Sequence, residues 1–190
     1  MQTNQEEKED GSLLTSGEYQ TEEDAARELD ALLKAGVDTG ALRVVYKEVT
    51  GQYFFIPPRG EVKCPRIDRI VVPGKKLEDA GWKHGPFGIE IKKSGHKAGP
   101  VVNQCCDYQL ARFQVREGYW LCLEYVFVFP LERIGGDVES VMVNHRIGCA
   151  SKNRHGAFNC DVSGCSVLRF HPNGEMHGRE IKSGRKLGSR

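Results

Sequence analysis

The sequence predicts an α/β domain, in the order helix, strands, helix, strand, with a β-rich C-terminal extension. Three observations carry this expectation. Residues 21–36 repeat apolar side chains at helical spacing, with Ala25, Leu29, Leu32 and Leu33 on one stripe. Between residues 41 and 92 the period shortens, and β-branched and aromatic residues gather in short runs broken by glycine and proline. A second helical pattern from residue 101 is followed by "YWLCLEYVFVFP", a near-continuous apolar run of the kind found in a strand buried on both faces.

The elements follow in order. Residues 1–20 are polar and acidic and read as a disordered leader without the apolar core of a secretory signal. In the first helix Thr21 is the expected N-cap, Glu22, Glu23 and Asp24 fill the first turn, and Gly36 is the expected stop. "LRVVYKEV", "QYFFIPP" and "VKCPRIDRIVVPG" predict strands of a meander, broken at Gly51, Pro57, Pro58 and Gly60. "KKLEDAGWKHGP" predicts a loop, with Trp82 either a core cover or a lid aromatic that stacks on a base. "FGIEIKK" predicts another strand and "SGHKAGP" another loop. Residues 101–117 predict one helix with Val102, Cys105, Leu110 and Phe113 inward, and 119–130 one strand. Beyond Pro130, "SVMVNHRIGCA" and "SVLRFHPNGEMHG" predict strands, the second turning at Pro172-Asn173-Gly174, ahead of a basic tail. The domain core is thus expected over residues 21–130, with 131–190 its extension.

Composition narrows the function classes. The chain has 190 residues, enough for one domain with a sizeable core, and no apolar run of membrane-spanning length. A net charge of +1 hides a division: residues 1–40 hold 11 Asp/Glu against 3 Lys/Arg, and residues 41–190 hold 15 against 24. A basic body with an acidic leader is compatible with a nucleic-acid partner. Seven cysteines without an export signal predict free thiols in a reducing cytoplasm.

Alternation on a strand puts Glu90 and Lys92 on one face and Ile89 and Ile91 on the core face. In "RIDRIVV", Asp68 shares a face with Ile70 and Val72. If the two strands pair in suitable register, Asp68 lies beside Glu90. Two neighbouring carboxylates repel, and a hard divalent cation relieves the repulsion. The plain alternative for Glu90 and Lys92 is a surface ion pair, worth under ~1 kcal/mol.

Asp68 in "CPRIDRIVV", Glu90-Ile91-Lys92 some twenty residues later, and Gln104 and Tyr108 in the following helix resemble the PD-(D/E)XK nuclease superfamily over residues 40–130. The sequence departs from the pattern in one place, with Ile67 where the motif has proline and Pro65 three residues ahead of Asp68. The resemblance implies a restriction-endonuclease-like core, a mixed central sheet flanked by helices in the order α-β-β-β-α-β. It implies that Asp68 and Glu90 bind Mg²⁺ or Mn²⁺, with the carbonyl of Ile91 a third ligand, and that Lys92 serves the attacking water. It further implies roles for Gln104, for Tyr108, and for an upstream glutamate, Glu48 in "VYKEVTG" or its competitor Glu28. The implied reaction is hydrolysis of DNA phosphodiester bonds, in a phage or bacterial cytoplasm by analogy, with a homodimer the simplest way to cut both strands. Lys93, Lys97, Tyr108 and Arg112, with His96 and Arg116, are the candidate DNA contacts. Cys149, His155, Cys160 and Cys165 form a candidate zinc set without a CxxC knuckle. The rival expectation is a catalytically inactive nucleic-acid-binding or anti-defence interaction protein with a structural zinc.

Overall fold

In the computed structural model, which describes residues 19–54, 64–132, 134, 136–152, 160 and 162–180, helix α1 (Glu22–Asp38) starts where its capping residue dictates. The Asp24 N–H donates to Thr21 Oγ1 at 3.0 Å, satisfying one of the orphan donors of the first turn. The helix does not stop at Gly36. A Cβ there would lie 3.1 Å from both Leu42 Cδ1 and Met176 Sδ, so this glycine serves close packing inside the helix. The turn falls instead to Gly40, at φ 79.

Strand β1 (Leu42–Tyr53) runs through Gly51 without a break. A side chain at Gly51 would meet the Phe113 ring at 2.8 Å, so the glycine admits a neighbour and does not end the strand. β2 (Arg66–Pro73) and β3 (Phe87–Ile91) complete an antiparallel meander. The predicted loop between them contains a short helix, α2 (Lys75–Asp79), which buries Leu77. Trp82 is 4 % exposed and stands edge-on to Phe87 and Tyr125, as a core cover.

The predicted helix over 101–117 divides. Helix α3 (Ala98–Gln109) ends early, because from Ala111 the burial alternates: Ala111 and Phe113 go inward, Arg112 and Gln114 outward. That period-two segment is β4 (Ala111–Arg116), which turns at Gly118, φ 69, into β5 (Tyr119–Cys122). The expected single strand over 119–130 is therefore two, β5 and β6 (Tyr125–Phe129). "SVMVNHRIGCA" divides likewise into α4 (Glu139–Asn144) and β7 (Ile147–Lys152), with Arg146 at φ 52 between them. β8 (Ser166–Phe170) and β9 (Met176–Glu180) form the predicted hairpin around Pro172–Gly174.

The nine strands of the described residues join one mixed sheet in the order β5-β4-β1-β2-β3-β6-β7-β8-β9. β3, β6, β7 and β8 are parallel; the other pairs are antiparallel. Alternation sorts the core into two layers. Phe87, Ile89, Ile91, Phe127 and Phe129 pack toward α1 and α2, and Val126, Val128 and Ile70 toward α3 and α4. The strands central to the sheet are buried on both faces, as helix-covered parallel strands must be.

Close strand packing around β7 is testable. A Cβ at Gly148 would lie 2.4 Å from the Ser166 carbonyl oxygen and 2.6 Å from Phe127 Cε1, and neither atom is the free end of a flexible chain. Gly148→Ala is expected to lower stability by about 1–3 kcal/mol in urea unfolding.

Candidate active site

Three carboxylates stand abreast on β1, β2 and β3. Arg69 pairs with Ile89 and Ile70 with Gly88, so the next pair in this register is Asp68 with Glu90. Lys47↔Arg69 and Val49↔Ile67 bracket Glu48 opposite Asp68. Glu48 itself sits at φ 50, in the left-handed region, a conformation that costs a non-glycine residue about 1–2 kcal/mol.

The strands present these groups as the sequence pattern requires, but in a drier setting. Residues 87, 89 and 91 turn toward α1, so Glu90 turns toward α3. Glu90 is 1 % exposed, not half-solvated, because α3 lies over that face. Lys92, just past the end of β3, folds back to place its Nζ 2.5 Å from Glu90 Oε1 and 3.7 Å from Glu22 Oε1. The Asp68 carboxylate caps the strand opening, with the Ile91 N–H donating to its Oδ2 at 2.7 Å.

Gln104 and Tyr108 meet on one face of α3. Gln104 Nε2 donates to Tyr108 Oη at 2.6 Å, and that hydroxyl lies 2.8 Å from Glu90 Oε2 and 3.0 Å from the Arg66 carbonyl oxygen. Tyr108 is 2 % exposed. It is a core residue that holds Glu90, which removes it from the candidate DNA contacts; Lys93, Lys97, Arg112 and Arg116 are exposed.

Burial sets the electrostatics. The Glu90 carboxyl is pushed up to about 7, first by desolvation and then by the Asp68 charge, against the pull of Lys92. Asp68 is raised too, by burial foremost, although the Ile91 N–H and Lys92 oppose it. Burial works against the Lys92 ammonium, yet Glu90, Glu22 and Asp68 outweigh it and hold its pKa above the usual lysine value. The Tyr108 phenol is raised by burial and by Glu90, so it serves as a donor.

Glu48 is turned to two arginines, with Arg66 Nε at 3.3 Å from its Oε2 and Arg69 Nη1 at 3.3 Å from its Oε1. Its competitor Glu28 is engaged by Lys152 at 2.5 Å. Glu48 also lines a groove of about 490 Å³ with Tyr46, Thr50, Gln114 and Val115. Beyond it the β4–β5 hairpin exposes Tyr119 and Trp120, with Arg116 stacked on the first at 4.9 Å and Arg112 on the second at 4.5 Å.

Sequence reasoning missed two participants. Glu22 looked like an ordinary first-turn acid, and nothing local announces that it faces Lys92. Arg69 is 5 % exposed and bonded to Asp30 at 2.8 Å; a charge on the apolar face of β2 was the available signal. His96, expected among the candidate DNA contacts, is buried instead. It is 8 % exposed, its Nδ1 lies 3.0 Å from the Lys93 carbonyl oxygen, and its buried Nε2 has no hydrogen-bond partner among the described residues.

Among the described residues, the one group of three or more ligand side chains whose donor atoms all lie within 4.8 Å is Cys149, Cys160 and Cys165. His155 of the candidate zinc set lies outside the described residues. The acids form a row, not a three-carboxylate cage. Comparison with protein-family models, with curated proteins and with solved structures gives no match. No helix among the described residues is long and apolar enough to cross a membrane.

Proposed function

We propose that the chain is a Mg²⁺-dependent nuclease of PD-(D/E)XK type that hydrolyses DNA phosphodiester bonds. The observation that carries this reading is the meeting of Asp68, Glu90 and Lys92, drawn from two strands paired in the register that makes the acids neighbours. The element order supports it. α1, the β1–β2–β3 meander, α3 and then β6 parallel to β3 are compatible with the α-β-β-β-α-β succession of a restriction-endonuclease-like core, with α2 inserted in the meander and the β4–β5 hairpin inserted ahead of β6.

The donor set fits a hard divalent ion. Asp68 and Glu90 offer oxygen ligands in a poorly solvated site, where burial raises both carboxyls and the Asp68 charge raises Glu90 further. One or two carboxylates with waters are a usual complement for Mg²⁺, and the Ile91 carbonyl is a candidate third ligand. Bound there, the ion would acidify a water and stabilise charge on phosphate oxygens. The chain's own groups do the rest. Lys92 stays protonated at neutral pH, so it acts as a fixed cation that orients water and phosphate, not as a base. Tyr108, held by Gln104, fixes the Glu90 carboxylate. Glu48, at the edge of the groove, is placed to support a second ion. Lys93, Lys97 and the stacked Arg112 and Arg116 are proposed phosphate contacts, with Trp120 and Tyr119 offering faces to bases.

The near-complete burial of Glu90 favours a second reading, a DNA-binding or anti-defence interaction protein that does not cleave. Incubation with plasmid, linear and single-stranded DNA, in Mg²⁺ or in EDTA, separates the two. Cleavage in Mg²⁺ that EDTA abolishes is the expected result; binding without any cleavage assigns the second reading.

A further inference from the structure

A cluster of thiols lies away from the acidic row. Cys149 stands inside β7. Cys160 and Cys165 lie in the connection that returns the chain to start β8 parallel to β7. Three residues separated by up to sixteen positions thus converge in the core layer beneath α4, with exposures of 0 %, 3 % and 0 %.

Distance decides what such a trio suits. The three sulfurs lie within 4.8 Å of one another, and Cys149 Sγ is 3.8 Å from Cys165 Sγ. Thiolates on one tetrahedral zinc, at about 2.3 Å each, stand ~3.8 Å apart along an edge. Three cysteines of an iron–sulfur cluster are spread over at least two irons, so their sulfurs do not all lie this close, and the spacing selects a single ion.

The surroundings supply donors to sulfur. Backbone N–H groups of Ile134 and Val162 hydrogen-bond to the Cys160 sulfur. The Arg169 guanidinium is 2 % exposed, interacts electrostatically with all three cysteines, and is held by Ser151 Oγ at 2.5 Å. Three thiolates and one divalent ion carry a charge of −1, which this arginine offsets.

We propose that Cys149, Cys160 and Cys165 bind one zinc ion that staples the β7–β8 connection to the sheet, leaving one tetrahedral position for a further donor. Its role is structural. Sulfur ligands select a soft ion, unlike the oxygen ligands of the acidic row, and the trio has no part in the proposed phosphodiester hydrolysis.

The test uses the full chain, purified under reducing conditions and stripped of metal. Titration with Co²⁺ is expected to produce a thiolate-to-cobalt charge-transfer band and intense tetrahedral d–d bands that saturate at one ion per chain and vanish when Zn²⁺ is added. Cys149→Ser, Cys160→Ser and Cys165→Ser are each expected to weaken Co²⁺ binding by at least about 100-fold. Cys122→Ser and Asp68→Ala are expected to leave the spectrum unchanged, which separates this site from the proposed Mg²⁺ site. The wild-type chain alone can overturn the proposal, so misfolding of a serine variant does not decide it. Folded protein that shows no charge-transfer band at excess Co²⁺ would do so. So would an iron–sulfur chromophore in freshly purified protein, or a Cys149–Cys165 disulfide in metal-free protein that persists when Zn²⁺ is supplied with reductant.

Discussion

Lys92→Ala is expected to lower the rate of Mg²⁺-dependent DNA cleavage about 1000-fold while the chain stays folded. The ammonium is the cation closest to Glu90, at 2.5 Å, and its side chain is only 17 % exposed. Removing it takes away the group proposed to orient water and phosphate. It also takes away the charge that opposes protonation of Glu90, whose carboxyl already sits at about 7. The variant's Glu90 would therefore remain protonated at neutral pH, and apparent Mg²⁺ affinity would fall together with turnover. Folding survives for the same reason, because a buried acid that can take up a proton is not left as an uncompensated charge. Single-turnover cleavage at several Mg²⁺ concentrations measures both effects, and circular dichroism with a thermal melt checks the fold. Asp68→Ala is expected to match it in rate. If both variants cleave like the wild type, the hydrolytic reading is wrong.

Glu90→Gln separates the cost of the site from its use. In EDTA the folded carboxyl titrates near 7 against 4.5 for the free group. Because the folded value is the higher one, the native state binds more protons than the unfolded chain between these limits. Its stability is therefore fully present below about pH 4.5 and is lost as the pH rises through 7. The difference corresponds to on the order of 3 kcal/mol. Glutamine does not titrate, so the variant's unfolding free energy is expected to fall by about that much less than the wild type's between pH 4.5 and 8.5. Urea unfolding in EDTA across this range measures it. The same variant is expected to lose cleavage, because glutamine offers a divalent ion a weaker ligand. Parallel pH profiles for wild type and variant would show that Glu90 is not the destabilising acid.

How much of this was legible in the sequence depends on the distance over which each signal acts. The helical stripe of α1 and its Thr21 cap read correctly because both are written within four residues. The β8–β9 turn at Pro172–Gly174 read correctly for the same reason. The division at Gln109 was missed although its signal was present: Ala111, Phe113 and Val115 alternate, but a helical count from Val102 also accommodates Phe113. Gly36 and Gly51 misled because a glycine written for a turn and one written for a close neighbour look alike until the neighbour is known.

By itself, the sequence determined which side chains are candidates for the site and the faces they share: Asp68 with Ile70, and Glu90 opposite Ile89 and Ile91. Strand alternation is a local steric property, so it needs no partner to be read. Only the tertiary structure decided that Asp68 stands across from Glu90, that α3 seals Glu90 from water, that Glu22 reaches Lys92, and that three cysteines spread over residues 149–165 touch. Register, burial and convergence depend on pairings between segments far apart in the chain. No local periodicity encodes which of several registers closes the sheet. The energy that selects among them is that of the packed core as a whole.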